Sequence, residues 1–285
     1  MADSPLDNLS VSIVCKDSAA TIVRTLDSVR GLVGGAGEIV AVDSGSTDGT
    51  IGMLEAAGAR VVRSAWMGHV KTKQFALEQC TREWVLCIDS DESVEPELAE
   101  QIRARLGEPD HPDDGFEINR RTYYKDRPLR YVWQPEWRLR LVRRGKARWG
   151  GFDPHDQLQL TSGTADRVPG ILRHDSFPTF AEHMRKQWFH ATTMARSLHD
   201  AGVRGSYLRL LGSPTGAMVK QLVLKRGVLD GYPGWLAAAS TAVAAIIKHA
   251  TLIELDNENR ASVGGETSGP RCPMRGLRRS ARCST

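Results

Sequence analysis

The chain has 285 residues, 41% of them hydrophobic and 25% charged, with a net charge of +4. That length can bury a sizeable core, and the composition is that of a globular protein rather than a disordered or fibrous one. Five cysteines without a C-x-x-C pair exclude a disulfide-stapled scaffold and a zinc finger. The N-terminal M-A-D-S-P-L-D-N lacks the charge and apolar run of a secretory signal, so a reducing cytoplasm is the expected home.

The first predicted element is an apolar strand over residues 9–15, ending at Lys16-Asp17-Ser18, followed by a helix over 20–30 with Ile22, Val23, Leu26 and Val29 at core-facing spacing. A second strand, 39–42, ends at Asp43 and runs into D-S-G-S-T-D-G-T. There Ser44, Gly45, Ser46 and Gly49 make a tight turn whose backbone N–H groups can bond a ligand, and Thr47 or Asp48 can cap the next helix. A carboxylate at Asp43, and one at Asp17, suits a ribose hydroxyl or a base N–H. A helix over 51–57, a strand over 60–63 and a helix over 69–80 follow, the last carrying Lys71, Lys73 and Gln74.

Residues 84–92 read W-V-L-C-I-D-S-D-E, an apolar run that ends in three carboxylates within four positions. A strand apolar on both faces belongs in a buried parallel sheet, and open α/β sheets place ligands at the C-terminal ends of such strands. On a regular strand Asp89 and Asp91 share one face, and their repulsion calls for a cation among them. A hard divalent metal carrying phosphate oxygens would meet that need. Pro96 leads into a helix over 97–106, and the turn-rich 107–114 closes a nucleotide-binding half spanning 1–106.

Residues 107–175 read as a mostly β acceptor and catalytic half, in which 137–144 alternates with Leu139 and Leu141 facing inward. Residues 176–256 read as a helical C-terminal extension, with helices over 180–198, 206–211, 216–229 and 235–255. The arginine-bearing 257–285 reads as a disordered basic tail. No run reaches the roughly 18–20 apolar residues of a spanning helix; residues 234–247 come nearest. Residues 216–248 place basic heads over an apolar stripe, which suits an anionic membrane surface.

The order of D-S-G-S-T-D-G-T, W-x-G before a Lys/Gln-rich helix, and I-D-S-D-E resembles glycosyltransferase family 2, and most of all the bacterial lipopolysaccharide core transferases. The resemblance covers about residues 9–255. It implies an α/β fold of GT-A-like, Rossmann-type mixed sheet, a UDP-sugar donor, a glycan or lipid-linked acceptor, and Mg2+ or Mn2+. By resemblance Asp91 is the direct metal ligand, Asp89 lies nearer the ribose, and His174 is a further metal ligand or diphosphate contact. A lysine such as Lys73 contacts a phosphate. The same resemblance makes Asp156 the general base with Asp153 second, and puts Trp133, Trp137 and Arg138 on the acceptor side. The implied reaction is a single in-line displacement that inverts the anomeric carbon. Two rivals are a nucleotidyltransferase, which would need a glycine-rich basic loop where Cys15-Lys16-Asp17-Ser18-Ala19 stands, and a non-catalytic nucleotide- or nucleic-acid-binding protein. No nucleic-acid partner is expected.

Overall fold

A computed structural model describes residues 6–108, 111–152 and 155–265. The chain begins as alternating strands and helices: β1 (Leu9–Cys15), α1 (Ile22–Arg30), β2 (Glu38–Asp43), α2 (Thr50–Ala56), β3 (Arg60–Arg63), α3 (His69–Glu78) and β4 (Trp84–Asp89). Strands β3, β2, β1 and β4 pair in parallel in that order. The unbroken apolar cores of β2 and β4 are explained by cover on both faces, while β1 carries Ser10 and Ser12 among its apolar residues and the edge strand β3 begins and ends in arginine. On one face α1, α2 and α4 (Pro96–Leu106) pack Ile22, Leu26, Leu54, Leu98 and Ile102 onto the sheet. On the other, Leu77 and Cys80 from α3 and its end meet Val40, Val85 and Cys87.

Beyond β4 the sheet becomes mixed. Short β5 (Glu92–Val94), β6 (Gly115–Tyr124), β8 (Trp137–Arg143) and β11 (Ala165–Phe177) complete the order β3-β2-β1-β4-β8-β6-β11-β5, with β7 (Arg127–Pro128) attached to β6. β5 is a departure from the sequence reading, which runs the acidic residues straight into a helix; pairing with β11 makes this segment a strand. β9 (Ala147–Phe152) and β10 (His155–Leu160) form a separate antiparallel ribbon.

A second departure is in β8. Its pairing with β6 shifts register so that Phe116 faces Leu141 while Glu117 faces Leu139, leaving Arg140 as the extra residue of a bulge. A bulge re-aims side chains and breaks the period-2 rule. Leu139 and Leu141 therefore pack on opposite faces of the sheet rather than sharing one.

The extension consists of α5 (Phe180–Asp200), α6 (Tyr207–Val219), a π-helical turn (Lys220–Leu224), a 3-10 turn (Gly227–Asp230) and α7 (Tyr232–Gly265). The single helix expected over 216–229 is interrupted because Arg226 adopts a φ of 56°, outside the helical region. Helix α7 runs on through 257–265, where the sequence reading starts a disordered tail; residues 266–285 lie outside the described residues. Its Tyr232–Asn259 stretch is long and apolar enough to cross a membrane by length and composition, with mean hydropathy 1.6. The sequence reading stops short of this because it breaks the apolar run at Lys248-His249. A third cluster, Leu129, Val132, Phe177 and Ala237, fastens the extension to the sheet.

Candidate active site

Parallel strands β1, β2 and β4 deliver Cys15, Asp43 and Asp89 to one edge of the sheet, Cys15 in register with Asp43 and Val14 with Asp89. A cavity of about 990 Å³ opens there. It is lined by Val14 and Cys15 from β1 and Lys16 just after it, Lys73 from α3, Asp89 from β4 and Asp91 just beyond it, and Arg140 from β8. Trp149 and Asp156 come from the ribbon and His174 from β11. Trp133, Trp137 and Arg138 stand on its wall as well.

The carboxylates at the end of β4 are answered by cations from elsewhere in the chain. Lys73 Nζ lies 2.7 Å from Asp89 and 2.8 Å from Asp156. Arg140 then bridges Asp89 at 3.4 Å and Glu92 at 2.7 Å. Arg120 links Glu92 at 3.3 Å to Glu136 at 2.6 Å, and Arg138 closes on Glu136 at 2.9 Å. Asp156, Lys73, Asp89, Arg140, Glu92, Arg120, Glu136 and Arg138 thus form one chain of alternating sign. Glu92 is fully buried and also accepts from the Asp89 N–H at 2.9 Å. The indole of Trp149 lies under both inner cations, 4.9 Å from Lys73 Nζ and 5.7 Å from the Arg140 guanidinium.

This network sets the ionisation of its members. Burial works against charge on Asp89, yet Lys73 and Arg140 hold its carboxyl well below the usual range. Burial likewise opposes the Lys73 ammonium, which Asp89 and Asp156 nevertheless hold above its ordinary value. Glu136 is kept low, against its burial, by Arg120 and Arg138.

Asp91 stands apart from Asp89 once β4 has ended. Its carboxylate is 3.6 Å from His174 Nε2, and its carbonyl accepts from the Asp175 N–H at 2.8 Å. Desolvation is outweighed by His174, leaving the Asp91 carboxyl below its usual value. His174 Nδ1 is buried and has no hydrogen-bond partner among the described residues. No cluster of three or more His, Cys, Asp or Glu suited to a metal exists among the described residues. Carboxylate and imidazole are nonetheless chemically suited to a divalent cation whose other ligands are phosphate oxygens or water.

The residues around Asp43 behave differently. Asp43 Oδ1 accepts from the N–H groups of Gly45 at 3.0 Å and Ser46 at 2.9 Å, and Oδ2 accepts from the Ser46 hydroxyl. Gly45 and Gly49, both at φ 90°, give the turn its left-handed corners. Asp17 Oδ1 accepts from the Thr47 N–H at 2.8 Å, and Asp48 accepts from Ala19 and Thr50. The first two strand-end loops are therefore laced to each other. Neither Asp17 nor Asp43 is among the residues that line the cavity, which includes their neighbours Cys15 and Lys16.

Among the other expected residues, Trp133 is fixed by its Nε1–H to Thr241 Oγ1 at 3.0 Å and packs on Phe177 and His183. Trp137 carries the Arg167 guanidinium 4.8 Å from its ring. Asp153 lies outside the described residues. The sequence reading misses the α5 contribution of His183, Lys186, Gln187 and His190 to the cavity wall. Only their i, i+3, i+4, i+7 spacing on one helical face was there to find. Glu92 is visible in the sequence only as the third carboxylate of the strand end, without a partner, and Arg120 is marked by no local pattern.

A mixed α/β sheet with a charged cleft at its parallel strand ends, under a helical extension, is a GT-A-like arrangement. Residues 10–167 match the model of Glycosyl transferase family 2, and the chain belongs to that family. It is 30% identical to the lipopolysaccharide core biosynthesis glycosyltransferase LpsC of Rhizobium meliloti over 86% of this chain and 92% of that one. It is 25% identical to the uncharacterized glycosyltransferase RT0209 of Rickettsia typhi over 92% of both. Among solved structures it is similar to the mannosyltransferase PcManGT from Pyrobaculum calidifontis in complex with GDP-Man and Mn2+. That likeness has a TM-score of 0.48 at 14% identity and covers 85% of this chain and 87% of that one.

Proposed function

We propose that the chain is an inverting hexosyltransferase that moves a hexose, glucose first among the options, from a UDP-sugar to a lipopolysaccharide core or other cell-envelope glycan. The observation that carries this reading is the Asp156–Lys73–Asp89 bridge facing the Asp91–His174 pair across one cavity. Similarity to LpsC supports the acceptor class. Its place of work is the cytoplasmic side of the membrane, on an acceptor anchored there.

In this reading Asp91 and His174 would hold Mn2+ or Mg2+, the imidazole favouring Mn2+. When bound, that cation supplies Lewis-acid stabilisation of the departing diphosphate. The alternating ion chain has as many cations as carboxylates, so an incoming diphosphate finds little spare positive charge within it. Lys16 and Lys186 on the cavity wall, with the cation, make up that balance. Asp17 and Asp43 serve the donor indirectly by fixing the loops on which it rests.

In this reading Asp156 takes the proton from the acceptor hydroxyl. Among the described carboxylates on the cavity wall, Asp89, Asp91 and Glu136 are held below their ordinary range by neighbouring basic groups, and Glu117 pairs with Arg167 at 3.0 Å. Among the described residues Asp156 pairs with Lys73, and a diphosphate competes for that same ammonium. Trp133, Trp137 and Arg138 would face the acceptor.

The test is UDP release and sugar transfer from UDP-glucose with Mn2+, using rough lipopolysaccharide as acceptor. Asp91→Ala and Asp156→Ala are each expected to lose at least about 10²-fold in rate while remaining folded. Near-wild-type transfer by both variants, or a product that keeps the donor's anomeric configuration, would reject the assignment.

A further inference from the structure

Helix α6 and the turns after it carry a row of large apolar side chains that no part of the described fold covers. Leu208, Leu211 and Val219 follow one another at helical spacing, and Val223 and Leu224 extend the row into the π-helical turn. Leu208 is 85% exposed, Leu224 74% and Leu211 73%. Val228, Leu229, Tyr232 and Trp235 continue the same exposure into the start of α7. An apolar strip of this extent on a soluble chain marks a docking face.

The charge of the strip says what it docks on. Residues 203–229 contain no Asp or Glu, but they contain Arg204, Arg209, Lys220, Lys225 and Arg226. Arg209, Lys220 and Arg226 are exposed beside the apolar row. A second copy placed face to face would set these like charges against one another. Lipid phosphates answer both features, since basic heads meet the anionic surface while the apolar row enters the acyl boundary. Tyr207, Tyr232 and Trp235, all exposed, are amphipathic rings of the kind that settle at that boundary.

The strip is also locked to the acceptor side of the cavity. The Asp230 carboxylate accepts from the N–H groups of Arg130 at 2.8 Å, Tyr131 at 3.0 Å and Val132 at 2.9 Å. Gln221 Oε1 accepts from the Trp133 N–H at 3.1 Å, and Lys225 Nζ donates to the Gln134 carbonyl at 2.8 Å. The docking face and the loop that carries Trp133 therefore move as one unit.

We infer that the face formed by α6, the two turns and the start of α7 seats the protein on an anionic phospholipid bilayer, with the Trp133 loop presented to acceptors anchored in it. Bilayer binding stands on the surface itself; the clause about acceptors rests on the proposed function. The test is flotation of the full chain with vesicles of phosphatidylglycerol and phosphatidylcholine, against phosphatidylcholine alone. Binding is expected only to the anionic vesicles and should weaken as salt is raised. Lys220→Gln with Arg226→Gln should weaken it by roughly fivefold for each charge removed. Leu211→Glu with Leu224→Glu should abolish it.

Both double variants keep the cavity intact, so UDP release from UDP-glucose should match wild type. Should the leucine pair prove unstable, the Lys220 and Arg226 pair, wholly on the surface, decides the matter. Absent binding, or binding unchanged in the charge variant, overturns the inference and leaves the proposed transferase standing. A concentration-dependent dimer dispersed by the leucine variant would also overturn it, since a second copy would then cover the face. Vesicle binding with no UDP release from any nucleotide sugar would fail the transferase reading instead.

Discussion

Asp43 ends β2 and Asp89 ends β4, two strands apart in one sheet, and their carboxylates are used in unlike ways. Asp43 meets its hydrogen-bonding needs within the turn that follows it and from the Cys15 thiol at the end of β1. Asp89 is met by Lys73 and Arg140, the first from a helix before it and the second from a strand 51 residues later. A locally satisfied carboxylate shapes a loop. One satisfied only by distant cations assembles a site, because the site exists only where several elements have come together. The difference separates a locally paired carboxylate from a distantly paired one at two places that look alike in sequence.

Substitution of the buried member of the network should expose that difference most. Glu92→Ala leaves Arg140 and Arg120 without their shared carboxylate, and breaking a buried pair of this kind costs about 3–5 kcal/mol. Urea unfolding of the variant measures the loss. A cost near zero would mean that the alternating chain contributes nothing to holding the strand end together.

The helical layer supplies a smaller effect with a different pH window. Burial pushes the His183 imidazole down to about 4, where its ring stacks 4.0 Å from Phe177 and its Nε2 meets Ser240 Oγ at 3.1 Å. The unfolded chain takes up this proton first, as pH falls through about 6.5. The stabilisation is therefore complete above that pH and is lost progressively toward pH 4, by on the order of 2–3 kcal/mol. The low-lying Asp89, Asp91 and Glu136 carboxyls withdraw their contributions only at lower pH still. Unfolding measured from pH 7.5 downward should show a loss beginning near neutrality, and His183→Gln should flatten it. An unchanged slope in that variant would assign the effect elsewhere.

The smallest effect belongs to the turn. Asp43→Asn keeps an acceptor for the two backbone N–H groups and alters the contacts from the Ser46 hydroxyl and the Cys15 thiol, a cost of about 1 kcal/mol. Its UDP affinity should equal that of wild type. A large loss of UDP binding, with stability unchanged, would show that this carboxylate touches the nucleotide after all.

The contrast also explains what could be read from the chain in advance. β2 and β4 are written as continuous apolar runs that end in aspartate, β1 as a run broken only by Ser10 and Ser12, and the parallel sheet follows from them. Lys73, Asp89, Asp91, Asp156 and His174 were all named as site residues, and the structure brings them to one cavity. Their individual functions remain proposals. The pairing of Lys73 with both Asp89 and Asp156 was not legible, because it depends on the ribbon folding back over α3. The direction of Arg140 was not legible either, since the bulge that aims it arises from pairing between β6 and β8. Trp133 and Trp137 were visible as aromatic residues, while their partners Thr241 and Arg167 lie far along the chain.

The most direct measurement is calorimetric titration of the intact protein with UDP, with Mn2+ and with a chelator, in wild type and Asp91→Asn. Wild type should bind UDP at least about tenfold more tightly with Mn2+, and Asp91→Asn should lose that dependence. Equal affinity with and without the metal, or an Asp91→Asn protein indistinguishable from wild type, would contradict a cation-bridged diphosphate at the end of β4.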